Sequence, residues 1–440
     1  MRLSLLLLPV PLLLLALAFA EDPSPFSPSR LRTPDGKPAD PDDFFEAADC
    51  GACHEGQWEQ WKGSLHNRAH DDGIYRAFAE LARTDAGEET YRFCSSCHTP
   101  LAIATGKEDF LAHEGVTCDV CHRIRTVDVV HGGGGANASF LLEAGDVRYG
   151  PLEDPSGTPA HKSAYSETHR SAQLCSACHT LLHPGNGLPI ENTYEEWAKG
   201  PYAKARIQCQ DCHMRSAEQA AEVARTMKPL KVPGTTLGKT GERPDVHDHR
   251  FSGASTDATL TGGAHAAESE ARLRAAVELA VKADPRAGAL EVAVSLTNVG
   301  AGHAIPTSIT ELRQVWIDLR VTDAKGAEVF RSGAVDADGR VDPGAVMYHS
   351  VLLDAKGEVT YLPWRAVKMA KEKLLPPKET VIEKWEVGVP AGAEGPLQVA
   401  ALLRYRAAPQ EVMDALFGKD RFDLRIVDMA TARAEVALAR

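Results

Sequence analysis

Every cysteine of the chain falls in one of five copies of a single pentapeptide. Each copy reads Cys-x-x-Cys-His, and the copies occupy residues 50–54, 94–98, 118–122, 175–179 and 209–213. Two thiols at this spacing can add to the two vinyl groups of a porphyrin, and the histidine that follows can reach the iron from the same face. The pattern therefore predicts covalent attachment of haem c (an iron cofactor) at five positions.

The motifs give a role to each of their reactive side chains. The predicted attachment residues are Cys50, Cys53, Cys94, Cys97, Cys118, Cys121, Cys175, Cys178, Cys209 and Cys212. The predicted proximal iron ligands are His54, His98, His122, His179 and His213.

Other uses of paired cysteines fit the pattern less well. Zinc sites use Cys-x-x-Cys knuckles in pairs, so five copies would leave one unmatched, and zinc does not require a histidine after every second cysteine. A thioredoxin-like redox pair would lie in a βαβ context and would not recur five times. Disulfides are disfavoured between cysteines so close in sequence. Haem c is the interpretation that leaves no cysteine over.

Histidines outside the motifs can supply the second axial ligands. The chain has 17 histidines, so 12 remain for five irons. Only Met214 and Met227 lie near the haem motifs, and we therefore expect histidine rather than methionine as the distal ligand. The predicted distal ligands are His66, His113, His169, His249 and His303, with His247 as the alternative to His249.

The sequence around the remaining histidines is less suggestive of a role as iron ligand. We expect surface or hydrogen-bonded roles for four of them and leave the other two open. The four are His70, His161, His265 and His349, and the open ones are His131 and His183.

The N-terminal residues have the features of a secretory leader. Residues 1–20 carry one charge, Arg2, then an apolar run broken by Pro9 and Pro11, and end on small residues suited to cleavage. The run is short for a spanning helix, so we expect cleavage rather than an uncleaved anchor. The mature chain is expected to be exported to the periplasm, the outer surface or the medium, with no stable membrane span.

Two domains are predicted after this leader, in an α+β arrangement. Residues 21–43 contain six prolines and are predicted to be a linker. Residues 44–250 are predicted to form a mainly helical pentahaem domain, in which Ile74, Phe78 and Leu81 mark one helix. The cysteine-rich part of this domain, up to about residue 215, has few large aliphatic side chains, so we expect porphyrins to fill its centre.

The C-terminal part has the sequence pattern of an antiparallel β-sandwich. After a linker at 251–270, residues 271–440 show period-two alternation, for example at 290–296 and 315–321. The sequence Asp-Ala-Lys-Gly at 323–326 and 354–357 predicts two hairpin turns. One helix is expected at 409–417.

Composition and charge narrow the class of partner. The chain is 43% hydrophobic and 25% charged, which is ordinary for a globular protein. Its formal charge of -13 argues against binding to nucleic acid. Loss of Arg2 with the leader would make the charge more negative by one. The acidic surface, to which haem propionates add, should dock a basic redox partner.

The flanks of the motifs resemble those of multihaem cytochromes c related to the tetrahaem cytochrome of nitrifying bacteria and to hydroxylamine oxidoreductase. The resemblance covers about residues 44–250 and rests on segments 49–66, 113–122, 169–179 and 194–214. It implies stacked haem pairs, mostly bis-histidine iron and electron transfer. It also implies distal-ligand roles for His66, His169 and a histidine of the His-x-His-x-Phe sequence.

This chain differs from that family in its fifth motif and its long β-rich C-terminal part. The Gly-His-Ala-Ile-Pro-Thr loop around His303 is similar to one found in multihaem proteins that carry such a sandwich. The similarity implies that His303 ligates a haem and that the second domain reaches into the cofactor array.

The predicted function is electron transfer between redox partner proteins, which can include other multihaem cytochromes. The alternative is a multihaem oxidoreductase that acts on a small nitrogen or sulfur compound at one five-coordinate haem. No Cys-x-x-Cys-Lys motif is present, which argues weakly against this alternative. The β-sandwich could also serve as an adhesion or assembly module, or as a structural cap.

Overall fold

The computed structural model describes residues 27–108, 110–128, 135–237, 240–254, 263–419 and 421–438. The predicted leader at 1–20 and His131 lie outside the described residues. Within the described part, no helix is long and apolar enough to cross a membrane.

Short helices dominate the first half of the chain. The α-helices are α1 (Ala47–Gly51), α2 (Glu55–Lys62), α3 (Gly73–Ala86), α4 (Glu88–His98), α5 (Pro100–Thr105), α6 (Phe110–His113), α7 (Cys118–Arg123), α8 (Gln173–Ser176), α9 (Thr193–Lys199), α10 (Pro201–Lys204), α11 (Gln210–His213), α12 (Ala217–Thr226), α13 (Ala266–Ala276) and α14 (Gln410–Phe417). Single 3-10 turns lie at Pro41–Asp43, Glu167–Arg170 and Pro363–Arg365.

Small two-stranded sheets connect these helices. Their strands are β1 (Ile124–Val127), β2 (Phe140–Leu142), β3 (Val147–Gly150), β4 (Lys162–Tyr165), β5 (Leu181–Leu182), β6 (Pro189–Glu191), β7 (Gly234–Leu237) and β8 (Thr240–Arg243). Consecutive strands pair with each other, and the β3–β4 pair is parallel whereas the other three are antiparallel.

Two antiparallel sheets form the second half. Their strands are β9 (Val277–Arg286), β10 (Ala289–Asn298), β11 (Gln314–Thr322), β12 (Glu328–Ser332), β13 (Met347–Leu353), β14 (Val359–Thr360), β15 (Lys368–Lys373), β16 (Thr380–Gly388), β17 (Leu397–Arg406) and β18 (Val427–Val436). One sheet has the order β16-β10-β9, and the other is built on β14-β13-β11-β17-β18 with β12 and β15 attached. One hydrophobic core contains buried side chains from both sheets.

The α+β architecture predicted from the sequence is confirmed, with the helical part first. Alternate residues of β10, from Leu290 to Leu296, are buried, as the period-two pattern predicted. Asp323 and Asp354 each accept backbone N–H groups within the two Asp-Ala-Lys-Gly turns, which join β11 to β12 and β13 to β14. The helix expected at 409–417 is α14, which ends at Gly418 with a positive φ of 97°.

Two segments predicted as linkers are more ordered than expected. Leu31, within 21–43, is 1% exposed, and Arg32 forms a β-bridge with Leu141. Part of the second linker, 251–270, is the start of α13, whose Leu273 packs into the sandwich core. Leu31 is an isolated apolar residue in a polar, proline-rich segment, so the composition of that segment gave no sign of its burial.

Candidate functional site

Each Cys-x-x-Cys-His motif lies on a helical turn. In the first, fourth and fifth copies, the histidine N–H donates to the carbonyl of the first cysteine at 2.8–2.9 Å. The second copy lies within α4 and the third within α7. Residues i, i+3 and i+4 share one face of a helix, so each turn presents both thiols and the imidazole to the same side.

All five motifs face one connected cavity of about 1980 Å³. This volume exceeds the roughly 300–1,000 Å³ of an ordinary small-molecule site. The ten cysteines all line it and form no disulfide, and aromatic side chains such as Trp58, Trp61 and Phe78 complete the wall. An apolar space of this size, bordered by five pairs of free thiols, fits several porphyrins.

The motif histidines are oriented by acceptors behind them. Each uses its Nδ1 to donate to an oxygen, which leaves Nε2 free to bind a metal. The acceptors are Thr236 O for His54, Ala69 O for His98 (2.8 Å), Tyr149 O for His122 (2.7 Å), a Glu191 carboxylate oxygen for His179 (3.3 Å) and Ser252 O for His213 (2.9 Å). Four acceptors are backbone carbonyls, and only the fourth motif uses a carboxylate.

Four motif histidines have a second histidine ring opposite. The ring-centre distances are 6.3 Å for His54 and His161, 6.3 Å for His122 and His249, 6.4 Å for His179 and His66, and 6.2 Å for His213 and His303. Two imidazoles on opposite sides of one metal, each bound at about 2.0 Å, have ring centres roughly 6.3 Å apart. The four spacings therefore match bis-histidine coordination of iron.

The second motif differs from the other four. Among the described residues, the ring that His98 contacts is Tyr75, which stacks on its face at 3.7 Å and 3°. A stacked phenol can hold the imidazole plane, but it does not lie beyond Nε2 where a second ligand would bind. Within the described part of the chain, no histidine ring faces His98 at the spacing of the other pairs.

The predicted distal histidines fall into different surroundings. His66, His249 and His303 line the cavity opposite motif histidines, as described above. His169 also lines the cavity, but its ring centre is 5.8 Å from His122, and its Nε2 donates to Cys121 O at 2.9 Å. His247 lines the cavity without a motif ring as its partner.

His113 lies in a place that disagrees with its predicted role. Its side chain is 61% exposed at the end of α6, outside the cavity lining, and its Nδ1 is 3.1 Å from Asp71. The reason is that α6 turns the side chain toward the loop before α3 rather than toward the third motif.

His161 was expected to be an ordinary surface histidine, and the structure instead places it opposite His54. It precedes β4, which pairs in parallel with β3, the strand that holds His122 through Tyr149. The polar Pro- and Ser-containing loop before it gave no sign of burial. If each motif histidine needs one distal histidine, His54 requires a partner, and this requirement could have pointed to His161.

Burial controls the charge of these imidazoles. It lowers the pKa of His66, His213 and His249 to about 3, so their rings are neutral and able to ligate a metal. His179 is the exception. Burial acts to lower its pKa, but the hydrogen bond and charge of Glu191 outweigh this and raise it to about 9.

Comparison with known proteins supports this chemistry. Residues 49–123 match the family model described as cytochrome c554 and c-prime. The crystal structure of a penta-heme cytochrome c552 from Thermochromatium tepidum has a similar fold, with a TM-score of 0.66 and 21% identity over 90% of this chain and 100% of that chain. The chain is therefore similar to cytochromes c554 and c-prime over residues 49–123, and it shares the fold of a penta-heme cytochrome.

A putative beta-galactosidase from Bacteroides fragilis aligns with a TM-score of 0.16 and 8% identity, over 36% of this chain and 16% of that chain. No curated protein matches the sequence.

Thiols from different motifs of the chain contact one another. Side-chain contacts join Cys50 to Cys118, Cys97 to Cys178 and Cys175 to Cys209. The first motif therefore adjoins the third, the second adjoins the fourth, and the fourth adjoins the fifth. The charge of Cys175 also raises the pKa of Cys121, which indicates that the third motif lies close to the fourth.

The sandwich half of the chain holds His303 against the helical half. Glu196 on α9 accepts hydrogen bonds from the Ala304 N–H at 3.1 Å and from the Thr307 hydroxyl at 2.7 Å. Thr307 also hydrogen-bonds Thr193 at 2.8 Å. The loop that carries His303 is thus fixed to the helical half just after the histidine, and the cavity has walls from both halves of the chain.

Proposed function

We propose that this chain is a multihaem c-type cytochrome that binds five haems c and transfers electrons between redox partner proteins. The observation that carries this proposal is the set of four histidine pairs at 6.2–6.4 Å across the cavity. Iron with ligands on both faces has no position for a substrate, so its chemistry is limited to gain and loss of electrons.

The proposed attachment residues and proximal ligands are those of the five motifs. For the distal positions we propose His161 on the first haem, His249 on the third, His66 on the fourth and His303 on the fifth. His169 is the rival to His249, because both rings lie near His122. The ring distance of 6.3 Å favours His249, and so does the hydrogen bond to Cys121 O that already occupies Nε2 of His169.

Contacts between motifs support a continuous path through the cytochrome. The thiol contacts suggest the order first, third, fourth and fifth, with the second haem attached to the fourth. Haems at adjoining motifs would lie close enough for electrons to pass between ring edges. The fourth motif would then be the branch point of the array.

We place the function outside the cytoplasm, in the periplasm or at the outer surface. Covalent haem c and the leader predicted at 1–20 support this location. The charge of -13 suggests a partner with a basic docking face, whose association rate should fall as salt rises.

Two measurements on the exported protein test the proposal. Intact mass should correspond to five haems, and electron paramagnetic resonance of the oxidised protein should show four low-spin haems and one high-spin haem. Replacement His303→Ala should convert one further haem to high spin, while His349→Ala, in β13 of the sandwich, should leave the count unchanged. A colourless protein, or an unchanged count in His303→Ala, would contradict the assignment.

A second candidate function rests on the second motif. Because His98 has no opposing histidine among the described residues, its haem would keep one open position, as an oxidoreductase acting on a small nitrogen or sulfur compound requires. Reduced protein should then bind carbon monoxide at one haem in five. Turnover of nitrite, hydroxylamine or sulfite by the reduced or oxidised protein would support catalysis. Binding of these compounds without turnover would leave electron transfer as the function.

A further inference from the structure

Three side chains with metal-binding atoms meet outside the haem cavity. His70 and Asp71 lie in the loop before α3, and His113 ends α6. One ligand atom from each residue lies within 4.8 Å of the other two. None of the three lines the cavity, so the cluster is separate from the haem sites.

The two imidazoles of this cluster have a different geometry from the haem pairs. The ring centres of His70 and His113 are 5.3 Å apart, and the rings meet edge to face at 79°. Two imidazoles bound at about 2.0 Å to one tetrahedral metal have ring centres roughly 5 Å apart. The spacing fits two adjacent ligands of one metal and is too short for ligands on opposite sides.

An ordinary surface ion pair explains only part of the cluster. His113 and Asp71 are 61% and 39% exposed and 3.1 Å apart, as a solvated pair would be. His70, however, is 8% exposed, and its buried Nδ1 has no hydrogen-bond partner in the described structure. A buried imidazole nitrogen without a partner costs free energy unless something binds there.

The charges around the cluster suit a cation. Asp71 supplies one negative charge, and Glu108 acts electrostatically on His70 with the same sign. Arg76 carries a positive charge 3.8 Å from Asp71, at the limit of an ion pair.

We propose that His70, Asp71 and His113 form a binding site for a divalent transition metal of the zinc class. Two imidazoles and one carboxylate are ligands that zinc accepts, and three protein ligands leave a fourth position for water. The site begins one residue from Ala69, whose carbonyl orients His98, so it borders the second haem motif without entering the cavity.

Zinc titration of the haem-loaded full chain tests this site. After treatment with a chelator, which leaves covalently attached haem in place, zinc chloride is titrated by isothermal calorimetry. Bound zinc is then counted by elemental analysis after gel filtration. We expect one zinc per chain, and a dissociation constant weakened by about tenfold or more in Asp71→Asn and in His113→Ala.

Matched variants distinguish this site from scattered binding to histidine. His349→Ala removes a half-buried histidine far along the chain and should keep the wild-type affinity. His113 is exposed, so His113→Ala should keep the haem absorption spectrum, which shows that the variant is folded. Failure to bind zinc would overturn the proposal, and so would zinc binding that Asp71→Asn and His113→Ala leave unchanged.

Discussion

At the fourth motif, His179 has a carboxylate behind it where the other four motif histidines have a carbonyl. Glu191 is 5% exposed, and it also accepts the Thr193 N–H at 2.9 Å, which fixes its position. A negative acceptor makes an imidazole a stronger electron donor than a neutral carbonyl does, and a stronger donor stabilises the ferric state of a bound iron.

Glu191→Gln keeps the shape of this side chain and removes its charge. We expect the midpoint potential of one haem to rise in the variant while the others change little. A redox titration that is monitored by absorption spectroscopy measures these midpoint potentials. Glu153→Gln removes the same charge from an exposed position and should leave all midpoints as they are. Equal titration curves for wild type and Glu191→Gln would rule out the effect.

A second carboxyl, Glu311, should make the stability of the protein depend on pH. Burial raises the pKa of Glu311 to about 8, although Arg313 favours the ionised form. Because the folded state then holds a proton that the unfolded state releases near pH 4.5, stability falls as pH rises from there through 8. The slope is about 1.4 kcal/mol per pH unit for one such group.

Glu311→Gln should remove this contribution. We expect thermal unfolding of the variant to depend less on pH between 5 and 8, with its largest gain over wild type at the alkaline end. Glu358→Gln, in the exposed turn after β13, should keep the wild-type dependence. A variant that parallels wild type across this range would show that Glu311 is ionised in the folded protein.

Residues of the site differ in how far the sequence could predict them. The motif cysteines and histidines follow from local spacing, because one helical turn brings them together. The distal ligands depend on chain segments far apart, since His161 is 107 positions from His54 and His303 is 90 from His213. His303 could be predicted from its loop and from a resemblance, whereas His161 had no local signal at all.

Elements of the sandwich could be predicted because alternation along a strand reports its two faces directly. In β11 burial is more extensive than alternation predicts, since Trp316 and Asp318 on the outer face are buried as well. Asp318 pairs with Arg331 and Arg404, and the Trp316 indole N–H donates to Gly333 O at 3.0 Å, so these partners account for the cover. Alternation shows which residues face the core but does not show what covers the other side.

Leu319 and Arg320 on β11 test this strand with neighbouring substitutions. Leu319 is fully buried in the sandwich core, and Arg320 is exposed and pairs with Glu328 at 3.0 Å. Leu319→Ala should lower the free energy of unfolding of the sandwich by about 2–5 kcal/mol. Arg320→Ala should change it by about 1 kcal/mol or less. Similar losses in thermal unfolding from both variants would contradict the assigned faces.

On the scale of the whole molecule, the two halves depend on different sources of stability. The sandwich buries side chains from both of its sheets in one core. The helical half surrounds a cavity of about 1980 Å³, and its side-chain clusters lie at the margin of this space. Interiors are normally close-packed, so this half needs large apolar groups that its own sequence does not provide.

Expression without haem attachment should therefore reveal a difference in stability between the two halves. With all ten motif cysteines changed to serine, we expect trypsin to cut residues 44–215 rapidly, while a fragment covering β9 to β18 resists. The haem-loaded wild type, digested alongside, should resist throughout. Mass spectrometry of the fragments locates the cuts. Since α9 and the loop that carries His303 hold each other through Glu196, that loop should become accessible together with the helical half. A protease-resistant helical half without haem would mean that its side chains alone sustain the fold.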